Sequence, residues 1–121
     1  VIFHGAVSYT EIPNAYAKAA VCVFPSHMET LGLVAPEAMA MEKLVIFTQL
    51  GPGPEVIVDG ETGLLCNPHQ PEDIANKIVY ALTNLELTIQ LGKKARASVL
   101  ERFEITTLVK QNITFYNKLV V

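Results

Sequence analysis

Residues 21–47 read VCVFPSHMETLGLVAPEAMAMEKLVIF, two short apolar runs separated by a loop and a segment with helical spacing. Val21–Phe24 and Leu44–Phe47 are predicted to be β-strands, because each is a short apolar run bounded by breaking residues. The segment from Val34 to about Glu42 is predicted to be a helix, in which Pro36 is tolerated because the first turn does not use its missing N–H. Unbroken hydrophobicity indicates strands that are buried on both faces, so this stretch predicts a strand–helix–strand unit of a parallel sheet.

The same alternation continues on both sides of this unit. Val1–His4 and Gly63–Cys66 are predicted to be further strands, a helix is expected from about Ser8 to Ala20, and Pro54–Ile57 is expected to form a short helix. After Asn67-Pro68 the strand signals stop. Three helices are predicted there, over Pro71–Thr83, Glu86–Arg102 and Ile105–Leu119. The sequence therefore predicts an α/β fold, an open parallel sheet of about four strands with a helical C-terminal tail.

Composition excludes several classes of protein. The chain has 121 residues, of which 50% are hydrophobic and 17% charged, which fits one domain and is too apolar for a disordered region. No apolar run reaches the roughly 18 to 20 residues that cross a bilayer. The net charge is −3 and no basic cluster exceeds the pair Lys93-Lys94, so a nucleic-acid partner is not expected. Cys22 and Cys66 are predicted to be small buried hydrophobes in a reducing compartment.

The chain begins at Val1, with no initiator Met and no signal peptide, directly in an apolar run. A domain that begins inside a strand-like run is expected to be part of a longer protein. We therefore expect residues 1–121 to be a single domain that is truncated at its N-terminal side, and its activity to belong to the longer protein.

The loop that follows Val21–Phe24 carries the strongest candidate residues. Ligands of open α/β sheets bind beyond the carboxyl ends of the strands, and residues 5–8, 25–33 and 48–54 form such loops. Gly32 allows the backbone to approach a ligand, and free N–H groups at the following helix start favour an anion such as phosphate. Glu37, one turn into that helix, suits hydrogen bonding to sugar hydroxyls.

Taken singly, these residues also fit structural roles. Glu29 fits an exposed loop residue and Glu37 a first-turn partner of the helix dipole, and spacing alone does not decide between the two. His27 fits a loop or packing histidine. The Cys and His spacings match no metal site. Asp59 and Asp73 lie in a turn and at a helix start, which argues against a Ser–His–Asp arrangement.

Several short motifs follow one another in order along the chain. They are Phe3-His4-Gly5-Ala6-Val7, Pro25-Ser26, Glu29-Thr30-Leu31-Gly32-Leu33, Glu37-Ala38-Met39-Ala40, Gly51–Ile57, Asp59-Gly60-Glu61-Thr62-Gly63, Ala95-Arg96 and Arg102-Phe103. In this order and spacing they resemble the donor-binding domain of family 4 glycosyltransferases, retaining enzymes of the GT-B fold. Glu29 and Glu37 would be the E-x7-E pair of that family.

The resemblance implies a partial Rossmann-like sheet that binds a nucleotide-diphosphate sugar, with UDP and GDP both open as the nucleotide. Glu37 would bind the ribose hydroxyls. Glu29 is the implied catalytic residue and would lie near the donor sugar, where it orients the ring. The backbone around Val7 would lie by the nucleobase.

The resemblance also assigns the segment between the two glutamates to the donor. Backbone N–H groups of Leu31, Gly32 and Leu33 would meet the sugar and the diphosphate, and Thr30 is implied as a further donor-binding residue. The leaving diphosphate would be stabilised electrostatically, because charge develops on it as the glycosidic bond breaks. Neither a metal nor another cofactor is expected.

The chain departs from the family pattern in two ways. Where the family has Ala-x-Gly-x-Pro, Glu42 replaces Gly and Leu44 replaces Pro, which predicts altered packing rather than lost activity. The basic pair that grips the diphosphate, the acceptor-binding domain and two strands of the family's sheet are missing. Since those strands would lie between Val1–His4 and Val21–Phe24, we expect these two predicted strands to pair directly, or a strand to pair between molecules.

The implied activity is transfer of a sugar to an unknown acceptor with retention, by a cytoplasmic enzyme of the hexosyltransferase type in polysaccharide biosynthesis. The isolated chain is expected to be inactive, because catalysis takes place in a cleft between two domains. Any membrane association would be peripheral and would come from the missing parts. Two alternatives stay open, a non-catalytic nucleotide-binding or interaction module and another GT-B enzyme of the epimerase or phosphorylase type.

Overall fold

The computed structural model describes residues 1–120, and a three-stranded parallel sheet lies at its centre. The strands are β1 Val21–Phe24, β2 Leu44–Thr48 and β3 Leu64–Cys66, in the order β1-β2-β3. Val21 pairs with Leu44 and Ile46 pairs with Leu64, so β2 is central. Every residue of β2 is buried, as its unbroken apolar run predicts. The α/β class with a parallel sheet is confirmed.

Helices surround this sheet, and most begin and end near the predicted residues. They are α1 Ile12–Lys18, preceded by a 3-10 turn over Tyr9–Glu11, α2 Val34–Ala40, α3 Gly53–Val56, α4 Pro71–Thr83, α5 Leu85–Arg102 and α6 Ile105–Leu119. Proline stands at the first or second position of α1, α3 and α4, where its missing N–H breaks no helical hydrogen bond. Glu104 caps α6, and hydrogen bonds from Thr106 and Thr107 lower its pKa to about 2.

The two faces of the sheet carry two clusters of buried apolar side chains. Val45 and Phe47 point to one face and Leu44 and Ile46 to the other, because successive side chains of a strand alternate. The first cluster is completed by α2 and α5, and the second by α4 and α5. This packing fixes the carboxyl ends of the strands relative to α2.

Cys22 and Cys66 are buried, and neither forms a disulfide. One lies in each of the two apolar clusters. Burial raises the pKa of both thiols. The prediction that both cysteines are small buried hydrophobes is confirmed.

The predicted strand Val1–His4 is wrong. Residues 1–8 form neither helix nor strand, and every one of them is exposed. An apolar run becomes a strand only where its N–H and C=O groups pair with a neighbouring strand, and within residues 1–120 no strand pairs with this stretch. The sheet therefore has three strands where about four were predicted.

The expected direct pairing of Val1–His4 with β1 is wrong for the same reason. β1 pairs with β2 along one edge, and its other edge has no strand partner among the residues that the structure describes. An open edge of N–H and C=O groups accepts a further strand. Pairing between molecules stays a prediction.

Glu42 lies in the turn between α2 and β2, at the amino ends of the strands. Its φ of 57° places it in the left-handed region that favours glycine. Gly92 of α5 packs directly against this turn, since a Cβ at Gly92 would lie 2.2 Å from the backbone oxygen of Glu42. The turn thus keeps a conformation that favours glycine at the position where the resemblance described above implies Gly and this chain has Glu.

The C-terminal helix α6 packs loosely on the rest of the chain. None of its residues is buried. Its exposed large apolar side chains are those of Ile105, Val109, Ile113, Phe115, Tyr116 and Leu119. In the part of the chain that the structure describes, no helix is long and apolar enough to cross a membrane.

Candidate functional site

Three loops meet at the carboxyl ends of the strands, the edge at which open α/β sheets bind ligands. Residues 25–33 connect β1 to α2, residues 49–52 connect β2 to α3, and residues 67–70 connect β3 to α4. The rings of His27 and His69 lie with their centroids 4.8 Å apart and their planes tilted by 56°. The first and third loops are therefore in contact, with the end of β2 between them.

Gly32 sets the path of the chain into α2. Its φ is +68°, and a Cβ there would lie 2.6 Å from Cζ of Phe47 and 3.0 Å from Cγ of Glu29. A side chain at this position would be strained by the backbone conformation and would collide with the buried ring of Phe47. The loop can therefore lie against Phe47 only because residue 32 is glycine.

Glu29 is half-buried beside this glycine. Its Oε1 accepts a hydrogen bond from the backbone N–H of Thr30 at 3.1 Å. A second loop reaches the same residue, because a Cβ at Gly51 would lie 2.8 Å from the backbone oxygen of Glu29. Two glycine turns from neighbouring loops thus define the position of Glu29.

The start of α2 offers unpaired backbone donors. Among residues 1–120 no acceptor is found for the backbone N–H groups of Leu31, Gly32 and Leu33, and no side chain caps the helix. The side chains of Leu31 and Leu33 are exposed. These N–H groups are therefore available to an acceptor on a ligand.

Glu37 lies in the first turn of α2, on the side that faces α1. The hydroxyl of Tyr16 donates to its Oε2 at 3.3 Å. Both residues line a cavity of about 230 Å³ whose other walls are mainly apolar. Burial, followed by the Glu37 carboxylate, raises the pKa of Tyr16 to about 12, so its hydroxyl stays protonated and can donate.

The sequence alone did not identify Tyr16 as a site residue. Its ring packs on the core while its hydroxyl reaches Glu37. The contact depends on how α1 docks on α2, which a helical pattern does not specify. The available signal was the residue type, because a tyrosine that packs on a core usually has a hydrogen-bond partner for its hydroxyl, whereas a phenylalanine needs none.

Val7 is not brought to the other predicted residues. It lies in the exposed stretch before α1 and lines a separate cavity with His4, Ala6 and residues of α1. Glu29, Thr30, Gly32 and their neighbours do not line this cavity. The structure thus places Val7 and Glu37 at different cavities. Glu37 is linked to the 25–33 loop through its backbone N–H, which donates to the oxygen of Leu33 at 3.0 Å.

Comparison with known proteins identifies the family of the chain. The sequence matches the family described as glycosyl transferases group 1 over residues 1–98. The chain belongs to this family. It is 40% identical to the N-acetyl-alpha-D-glucosaminyl L-malate synthase of Bacillus anthracis over 105 residues, which are 87% of this chain and 28% of the relative.

Solved structures of group 1 and related GT-B enzymes share the fold. Sucrose-phosphate synthase from Thermosynechococcus elongatus superposes with a TM-score of 0.91 and 34% identity, covering 98% of this chain and 30% of that one. HepE of Anabaena, solved in complex with UDP, superposes with a TM-score of 0.86 and 26% identity, covering 89% of this chain and 30% of that one. Another HepE structure contains UDP-glucose.

The chain is similar to only a part of each relative. It spans about a quarter of the curated relatives that it matches, with values of 26%, 28% and 19% for the first three. Group 1 glycosyltransferase residues that lie outside this span are therefore not represented in residues 1–121.

Proposed function

We propose that this chain is the donor-binding part of a family 4 glycosyltransferase, which moves a hexosyl unit from a nucleotide-diphosphate sugar to an acceptor with retention. Glu37 binds the ribose hydroxyls, and the backbone N–H groups of residues 31–33 bind the sugar and the diphosphate. Glu29 orients the donor sugar at the reacting carbon.

One observation carries this proposal. Two half-buried carboxylates, Glu29 and Glu37, flank residues 31–33, whose backbone N–H groups have no acceptor among residues 1–120. Carboxylates accept hydrogen bonds from hydroxyls, and free N–H groups at a helix start donate hydrogen bonds to phosphate oxygens. A nucleotide-diphosphate sugar carries both kinds of group on one molecule. The UDP complex of HepE supports the same class of ligand and makes UDP the first nucleotide to test.

Charge indicates that this chain supplies only part of the donor site. Between Lys18 and Lys77 the sole lysine or arginine of the sequence is Lys43, whose Nζ donates to the backbone oxygen of Ala17. The loops at the carboxyl ends of the strands hold no lysine or arginine at all. A diphosphate bound there would lack a neutralising side chain from these residues, so the cations must come from elsewhere in the full-length enzyme.

The proposed chemistry follows from these contacts. The bond between the anomeric carbon and the diphosphate oxygen breaks, and the electron pair leaves with the diphosphate. A bond to the acceptor oxygen forms on the same face of the sugar, and the proton of the acceptor hydroxyl passes to the leaving diphosphate. N–H groups that point at the leaving oxygens stabilise the charge as it develops. We place this enzyme in the cytoplasm and in polysaccharide assembly, and we propose that it uses no metal or further cofactor.

The first test is a titration of this chain with UDP and GDP, followed by NMR shifts. Binding no tighter than about 1 mM, or about 4 kcal/mol, is expected because no cation faces the diphosphate. Glu37→Ala should abolish it. Glu72→Ala is the matched control, since Glu72 is also a first-turn glutamate but lies on α4. Equal binding by the Glu37→Ala chain would contradict the proposal.

The class of reaction has to be determined with the full-length enzyme. Product analysis separates a transferred sugar from an epimerised nucleotide sugar and from a sugar phosphate. Glu29→Ala is expected to lower the transfer rate, whereas an unchanged rate would favour a non-catalytic nucleotide-binding module.

A further inference from the structure

The hydroxyl of Tyr16 connects α1 to the first turn of α2. It donates to Oε2 of Glu37 at 3.3 Å, and within residues 1–120 it is the one side chain that donates to this carboxylate. A glutamate has three rotatable side-chain bonds, and fixing them opposes binding through lost entropy. A hydrogen bond that already holds the carboxylate removes part of that opposition.

The ring of Tyr16 is fixed independently of its hydroxyl. It packs against Phe24 at the end of β1, with ring centroids 6.3 Å apart and planes at 90°. It also contacts the apolar cluster that includes Cys22 and Met39. The hydroxyl therefore extends from an anchored ring, and the substitution Tyr16→Phe removes the donor while keeping the packing.

The surroundings favour this hydrogen bond over hydration of the two groups. Tyr16 and Glu37 line the cavity with the side chains of Ile12, Pro13 and Met41. Apolar walls reduce competition by water and strengthen a hydrogen bond to a carboxylate. Only Oε2 is engaged by Tyr16, which leaves Oε1 of Glu37 for a ligand.

We infer that Tyr16 is a positioning residue for the nucleotide: its hydroxyl holds Oε2 of Glu37, so that Oε1 accepts hydrogen bonds from the ribose hydroxyls. This inference rests on the proposed function of Glu37. Tyr16 itself touches no part of the nucleotide in this arrangement. Its contribution should appear only with ligands that carry the ribose hydroxyls.

The test is a pair of NMR titrations of this chain, with UDP and with its 2′,3′-dideoxy analogue. Tyr16→Phe is expected to weaken UDP binding about three- to tenfold, the range for one typical hydrogen bond, and to leave binding of the dideoxy analogue unchanged. Tyr80→Phe, the same change on α4, is the matched control and should alter neither titration.

The outcomes separate this inference from the proposed function. If Glu37→Gln weakens UDP binding and Tyr16→Phe does not, the inference fails and the role of Glu37 stands. Equal weakening of both ligands by Tyr16→Phe would make Tyr16 a structural residue and would also overturn the inference. If Glu37→Gln has no effect, or if the unsubstituted chain binds neither UDP nor GDP at 10 mM, the proposed function fails and the inference fails with it.

A second readout needs no ligand. The ultraviolet absorbance of tyrosinate reports ionisation of all four tyrosines of the chain, so the titration of Tyr16 is the difference between a chain and the same chain with Tyr16→Phe. The pKa of Tyr16 is raised to about 12 by burial and then by Glu37. Glu37→Gln is expected to move this ionisation to lower pH but not back to the ordinary value, because burial remains. An unmoved titration would show that the hydroxyl and the carboxylate are not in contact, and would overturn the inference.

Discussion

The two ends of α2 differ in how their backbone groups are satisfied. At the N-terminal end, no acceptor is found within residues 1–120 for the N–H groups of residues 31–33, and the nearby loops contain no lysine or arginine. At the C-terminal end, Arg96 donates to the backbone oxygen of Ala40 at 2.7 Å, and the backbone N–H of Glu42 donates to the oxygen of Met39 at 3.0 Å. One end is closed by hydrogen bonds from within the chain, and the other stays open.

This difference separates stability from ligand binding along one short helix. Closed ends of helices contribute to folding, because unpaired backbone groups are satisfied. An open end costs stability and is kept where a ligand supplies the missing partners. Substitutions at the C-terminal end of α2 should therefore change unfolding, whereas those at the N-terminal end should change nucleotide binding as well.

Gly92→Ala should have the largest effect on the unfolding free energy, and it should act at the closed, C-terminal end of α2. A Cβ at Gly92 would lie 2.2 Å from the backbone oxygen of Glu42, so the turn or α5 must move. We expect a loss of about 2–4 kcal/mol in the free energy of unfolding, measured by urea denaturation, although alanine is the better helix former. Gln90→Ala, an exposed position of the same helix, should change it by less than about 0.5 kcal/mol. A stabilised Gly92→Ala chain would contradict the close packing.

Gly32→Ala should have the next largest effect and should act on the open end. It adds left-handed strain and a contact of 2.6 Å with Phe47. We expect a loss of about 2–3 kcal/mol in unfolding free energy and loss of UDP binding.

Gly60→Ala is the matched control for that change. Gly60 has a φ of +75°, but nothing lies within 4 Å of its added Cβ. The Gly60→Ala chain should lose only about 1 kcal/mol of unfolding free energy through backbone strain, and it should keep UDP binding. Equal behaviour of the two variants would show that the contact with Phe47 does not shape the site.

Glu42→Gly should have a smaller effect of opposite sign. Glu42 adopts a left-handed conformation with a φ of 57°, and its ion pair with Arg96 is long, at 3.8 Å, and exposed. Relief of strain should therefore outweigh loss of the ion pair, raising the unfolding free energy by about 0.5–1 kcal/mol. Glu42→Ala removes the same ion pair but keeps the strain, so it should not stabilise the chain. A destabilised Glu42→Gly chain would mean that the ion pair dominates.

Alkaline pH should have the smallest effect on the stability of the folded chain. The pKa of Tyr16 is raised to about 12 from an unfolded value near 10, so the folded chain holds a proton that the unfolded chain has lost between these values. The contribution of Tyr16 to stability is complete below pH 10 and falls as the pH rises through about 12. Denaturation midpoints from pH 9 to 12 should decline less in Tyr16→Phe than in the unsubstituted chain, and equal declines would contradict the raised pKa.

Sequence patterns predicted the elements that local residues determine. The unbroken apolar runs of β1 and β2, the first-turn proline of α4 and the helical spacing of α6 each specify their own element, and these predictions are confirmed. Val1–His4 has the same composition as a strand but lacks a partner, and pairing is a property of the whole sheet. The number of strands could therefore not be predicted from local sequence patterns.

The candidate site was predictable only in part for a related reason. The order of motifs from Glu29 to Gly63 indicated the loop and the first turn of α2, and the structure brings Glu29, Gly32 and Glu37 to one loop–helix unit. The contacts of Glu37 with Tyr16 and of Gly32 with Phe47 join elements that are distant in sequence. Such contacts depend on docking angles, which neither spacing nor composition specifies.

The most direct test of this account is a map of backbone amide shifts in the 15N-labelled chain as UDP is added. The account predicts shifts concentrated at the open end of α2, in residues 29–37 and in the loop around Gly51, with residues 41–43 and 92–96 unmoved. Shifts concentrated at the closed end, or spread evenly over both ends, would contradict the claim that the open end of α2 is the donor site.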